Sequence, residues 1–138
     1  MSDKVKPIKF EREEKDMKTS TVETSKLSGP ALDWAAAKAV GLVAYTQPDG
    51  PVYLPINGEA WSPSTDWSQG GPLIEKLEAL TQYDDSSWYA IPTSEYGVIE
   101  LSGPTPLIAI CRAIVAAELG DDVEVPVELL EELEKDMT

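Results

Sequence analysis

GPTPLIAICRAIVAAELGD, residues 103–121, is the stretch on which the reading of the fold turns. Thr105 is placed to cap a helix, and Pro106 takes the first helical position, where a missing N–H costs nothing. Gly120 is placed to end it. Between them Leu107, Ile108, Cys111, Ile114, Val115 and Leu119 recur at helical spacing and form a buried stripe. Cys111 reads as a core residue by its helical phase.

With that helix fixed, the flanking segments fall into short elements. LSGPALDWAAAKAVG, 27–41, is a second helix, with Pro30 in its first turn, alanines throughout and Gly41 to stop it. LVAYTQ (42–47), PDG (48–50) and PVYLPI (51–56) read as a hairpin whose prolines keep the second arm at a sheet edge. PLIEKLEAL, 72–80, is a short amphipathic helix with Leu73, Ile74, Leu77 and Leu80 inward, and TQYDD is a turn. Residues 86–91 and 96–101 look like strands, as does the Thr/Val-rich start at Met17. PVELLEELEKDM closes the chain with leucines against glutamates. The expected class is α+β: a small, mainly antiparallel sheet of about four short strands packed with three or four helices. Residues 1–16 are charged and poor in apolar side chains, and read as a mobile leader before a single domain, 17–138.

The composition excludes much chemistry. No run approaches the ~20 apolar residues that cross a bilayer, and the N-terminus has no apolar signal core, so a cytoplasmic protein with no membrane contact is expected. One cysteine permits no internal disulfide, and the absence of histidine rules out Ser-His-Asp and Cys-His sets and any Cys/His zinc site. The net charge is −14. The leader holds five basic and five acidic residues, so 17–138 carries twenty acids against six bases. Such a body repels the backbone of polymeric nucleic acid. It suits solubility, a basic partner, or mimicry of nucleic acid.

LSGPALDWAAAKAVG, then WSPSTDWSQGGPLIE, then GPTPLIAICRAIVAAELGDDVEVP, in that order, resemble the NinX-like proteins of tailed bacteriophages. The likeness covers about Met17 to Leu130. Trp61 stands where the family pattern has tyrosine, and the leader has no counterpart. The resemblance implies a phage accessory protein in the cytoplasm of an infected bacterium. It implies no reaction.

EAWSPSTDWSQGGPLIE, 59–75, carries the candidate site. A helix N-terminus offers unpaired N–H groups and partial positive charge, and Gly70 and Gly71 would let an anion approach. Ser62, Ser64, Thr65 and Gln69 are neutral donors, Asp66 can accept from ribose or base edges, and Trp61 and Trp67 offer stacking faces worth ~1–3 kcal/mol per base. Thr105, at another helix start, and Arg112, a cation two turns further in, complete the set. These are parts of a pocket for a small phosphate-bearing aromatic, a nucleotide. No Walker lysine precedes the hydroxyl. The alternative is that the tryptophans plug a long loop whose backbone Ser62, Ser64 and Asp66 satisfy.

With no catalytic set, metal site or cofactor motif, the leading expectation is a homo-oligomeric binder. It sequesters a nucleotide signal of host antiviral defence without turnover. The alternative is an acidic inhibitor or DNA mimic presenting Glu118, Asp121, Asp122, Glu124, Glu128, Glu131, Glu132 and Glu134 to a host protein. A lesser possibility is a metal-assisted nucleotide hydrolase using Asp66, Glu75 and Glu95.

Overall fold

The computed structural model describes residues 18–46, 51–92 and 100–130. Along the chain lie β1 (Thr19–Glu23), a 3-10 turn (Thr24–Lys26), α1 (Gly29–Ala39), β2 (Tyr53–Leu54) and β3 (Glu59–Ala60). They are followed by α2 (Trp67–Leu77), β4 (Ala79–Asp84), β5 (Ser87–Pro92), β6 (Leu101–Gly103), α3 (Pro106–Leu119) and β7 (Asp122–Pro126). The class is α+β, as expected, but the described strands form three separate antiparallel sheets, of two, two and three strands, rather than one. The leader 1–16, most of the strand expected at 96–101 and most of the closing helix fall outside the described residues, although 127–130 are helical.

α3 organises the molecule. Thr105 caps it, its hydroxyl accepting from Ile108 N–H at 3.1 Å, and Pro106 occupies the first turn. Leu107, Ala109, Ile110, Cys111, Ala113, Ile114 and Val115 are buried, so the helix is enclosed on more than the single stripe expected. The β4–β5–β6 sheet, α1 and α2 all pack on it. α1 contributes Ala31, Leu32, Ala35, Ala36 and Ala37, all fully buried, whose small side chains let the two helices approach closely. β1 pairs with β7 from Thr19↔Pro126 to Glu23↔Asp122, tying the two ends of the described chain together.

Three local expectations are corrected. The short helix expected at 72–80 is α2, which begins at Trp67, not Pro72, because Asp66 caps it through Ser68 N–H at 2.9 Å; Pro72 lies inside. It ends at Leu77, because Glu78 turns left-handed at φ 51°. Leu80 is consequently not an inward helix residue but a β4 residue, 52 % exposed. TQYDD is mostly strand, and the turn moves to Asp85–Ser86, both at positive φ (50° and 72°) in a two-residue hairpin. The hairpin of 42–56 is reduced to one bridge, Tyr45↔Tyr53, with the tyrosine rings edge-on at 5.9 Å. β2 instead pairs with β3, and residues 47–50 are not described.

Positive φ costs a non-glycine residue ~1–2 kcal/mol, so the β4–β5 hairpin carries a removable penalty at Ser86. Ser86→Gly is expected to stabilise the fold by about 1 kcal/mol, measured as a rise in the urea midpoint without a change of slope.

Candidate functional site

The 59–75 segment is held by one buried residue of α1. Trp61 is 8 % exposed, and its Nε1–H donates to the Asp33 carbonyl at 3.0 Å. Ser64 N–H donates to the Asp33 carboxylate at 2.9 Å. Gln69 reaches back from α2, accepting from Ser62 N–H at 2.7 Å and donating to the Ala60 carbonyl at 2.9 Å. The Ser62 carbonyl accepts from Thr65 N–H and Asp66 N–H, closing a tight turn. Asp66 accepts from both the N–H and the hydroxyl of Ser68. The loop's polar groups are therefore largely spent on one another and on Asp33.

Gly70 and Gly71 do not form an open approach to a helix end. Both lie within α2, where a carboxylate already occupies the N-terminus. Gly70 is buried, and a Cβ there would collide with the Pro63 carbonyl and come within 2.7 Å of Leu107 Cδ2. A Cβ on Gly71 would meet only Trp67 Cε3, at 3.7 Å. Trp67, 58 % exposed, and Thr65 stand in solvent. Arg112 does not point toward this loop's donors: its Nε donates to the Leu27 carbonyl at 2.8 Å and Nη1 to the Ser102 carbonyl at 2.7 Å. Burial lowers its pKa from the ordinary value. Thr105 is committed to its cap. Of the expected site residues, the fold thus brings Trp61, Ser62, Ser64, Thr65, Asp66 and Gln69 together as a scaffold, although the Thr65 side chain is exposed, and leaves Trp67 outside it.

Asp33 escapes a sequence reading, since its partners lie 28 and 31 positions away. Burial pushes its carboxyl up to about 6, opposed by the Ser64 side chain and then by the Ser64 N–H. The Ser64 hydroxyl lies beside the carboxylate without meeting hydrogen-bond geometry, and is buried. Cys111 is fully buried; desolvation raises its pKa, and the Asp33 charge raises it further. It is no nucleophile.

A cleft of about 340 Å³ lies elsewhere, between α1, residues 44–45 and the β1–β7 ladder. Trp34, Lys38, Tyr45, Asp122 and Glu124 line it, with Thr19 and Leu119. The Lys38 ammonium sits over the Trp34 ring, 5.2 Å from its centroid. The hydroxyls of Thr19 (2.7 Å) and Thr21 (3.0 Å) donate to Glu124 and hold its carboxyl below the ordinary range. The readable signal was a tryptophan and a lysine four residues apart on an alanine helix, hence on one face.

Two outcomes test this scaffold. Gly70→Ala is expected to destabilise by ~1–3 kcal/mol through overpacking, whereas Gly71→Ala leaves stability equal or higher, as chemical denaturation would show. For Asp33, the folded value near 6 stands above the ordinary 3.8, so its stabilising contribution is complete below about 3.8 and is lost as pH rises through about 6. Asp33→Asn keeps an acceptor for Ser64 N–H and removes that dependence. It is expected to exceed the wild type in stability at pH 7 by up to roughly 3 kcal/mol, with the two converging near pH 4.

No helix among the described residues is long and apolar enough to cross a membrane. No curated protein matches the chain. The protein family described as "Bacteriophage P22, NinX" matches residues 23–118, from the end of β1 to the last turn of α3. The match takes in α1, the Trp61–Gln69 loop, α2 and the three-stranded sheet, well over half of the sequence, and so the chain belongs to the phage NinX family.

Proposed function

We propose that this phage protein binds a small ligand carrying a flat ring and an anionic group, the nucleotide class, and holds it without turnover. The seat is the Trp34–Lys38–Tyr45 cleft rather than the 59–75 loop, whose polar groups are largely engaged within the fold. The observation that carries this reading is Lys38. In a chain of net charge −14, its ammonium at the cleft is set against an aromatic ring, and among the described residues no carboxylate lies within ion-pair distance of it. It is a cation still available to a phosphate. The ring surfaces offer stacking, and Asp122 and Glu124 can accept from ring amino groups or ribose hydroxyls. The volume falls in the range of small-molecule sites, ~300–1,000 Å³. In a phage protein, such retention would withdraw a nucleotide signal of host antiviral defence.

The test is to incubate the protein with a panel of linear and cyclic nucleotides, release the bound fraction by heat, and identify it by mass. Intact nucleotide is expected, with Lys38→Met and Tyr45→Ala each weakening retention about tenfold. Loss in Trp67→Ala instead, with Lys38→Met unaffected, would return the site to the exposed end of α2. A chemically changed nucleotide would make the protein an enzyme. Recovery of nothing across the panel would sink ligand binding. It would shift the reading to an acidic inhibitor of a host protein, favoured by the exposed carboxylates of Asp121, Asp122, Glu124 and Glu128 around β7.

A further inference from the structure

Among the described residues no strand pairs with the outer edge of β4. In the order β4–β5–β6, β4 bonds only to β5, from Ala79↔Pro92 to Asp84↔Ser87. Among the described residues no other backbone hydrogen bond engages 79–84. The outward N–H and C=O groups of this six-residue strand therefore have no backbone partner among the described residues. Natural edges are usually blunted by a proline, a bulge or an inserted charge, yet Ala79-Leu80-Thr81-Gln82-Tyr83 has no proline or charge, and its register with β5 is unbroken. Leu80 and Tyr83 are 52 % and 59 % exposed. The charges sit at the ends: Glu78 before the strand, Asp84 at its close and Asp85 in the turn.

We propose that β4 is a docking strand for an extended segment of a partner protein, one with alternating β-branched residues between Lys or Arg at both ends. Added strands of this kind bind through main-chain hydrogen bonds and take specificity from flanking side chains. Charge decides the occupant. A second copy paired antiparallel about Thr81 would set Asp84 of each chain against Glu78 of the other, on bodies of net charge −14. A segment with basic ends turns each of those contacts attractive. This surface is separate from the small-ligand cleft, and neither reading depends on the other.

The probe is a fluorescent synthetic octapeptide of alternating threonine and valine between paired lysines, titrated into the full chain at low and high salt. Saturable binding that weakens with salt is expected, together with slowed hydrogen exchange of the 79–84 amides. Leu80→Lys and the pair Asp84→Lys with Asp85→Lys should each weaken binding about tenfold while circular dichroism stays native. Three outcomes would overturn the proposal. One is no binding, and another is binding without protection of the β4 amides. The third is a dimer in light scattering that Leu80→Lys dissolves, which would give the edge to a second copy.

Discussion

The structure depends on a single buried residue, Asp33, bonding twice to one loop. Its main-chain carbonyl takes the Trp61 indole and its carboxylate takes the Ser64 amide. One residue of a rigid helix thereby fixes both sides of Ser62-Pro63, and Pro63 is sealed beneath. Pro63 in turn sets how closely α2 can come, since its carbonyl and Leu107 leave no room for a side chain at position 70. The position of α2 against α3 thus follows from a hydrogen bond made on α1. A buried carboxylate is costly to keep ionised, and desolvation raises its pKa accordingly. What is gained is a unique seat for a loop with few apolar side chains to hold it by packing.

α3 supplies the other constraint. It is enclosed by a sheet and two helices, so its polar side chains must be satisfied internally. Arg112, half-buried on this helix, meets the requirement by bonding to the carbonyl of Leu27, just ahead of α1, and to that of Ser102 in β6. It joins the helical side of the molecule to the sheet side across α3. Thr24 does similar work at the far end, its hydroxyl donating to the Gly120 carbonyl at 2.7 Å where α3 stops and β7 begins. These long-range polar ties supplement the packing of the hydrophobic core.

What the sequence announced and what it concealed divide by the range of the interactions. α1 and α3 were legible because caps, prolines and alanine or β-branched runs act within one or two turns. The start of α2 is not legible because Gly70-Gly71-Pro72 looks like a loop running into a helix, whereas the deciding group is the carboxylate of Asp66 in front of it. The turn at Asp85-Ser86 is hidden because it lacks the glycine that usually marks a two-residue hairpin; Asp tolerates the left-handed region, and Ser is strained into it. In the 59–75 segment the residue types mark donors, acceptors and flat rings, but Ser62 and Ser64 donate through their main-chain N–H groups. Their partners were not legible, because Asp33 lies a helix away in sequence and nothing local distinguishes a donor aimed at a ligand from one aimed at the fold.

That distinction also clarifies the acidic surface. A net charge of −14 creates a field that repels any anion approaching from afar. At contact distances the balance is set by the nearest groups, screened from the rest within ~8 Å at physiological ionic strength. Arg112 is withdrawn into main-chain bonding, and Lys26 lies 3.9 Å from Glu23 on the exposed 3-10 turn. Lys38 differs from both in being held by an aromatic ring, which attracts a cation without neutralising it. Its charge therefore survives at the wall of a cleft that also presents two carboxylates. A ligand able to satisfy all three must be anionic at one end and rich in N–H or O–H donors at the other. That is the polarity of the nucleotide proposed above.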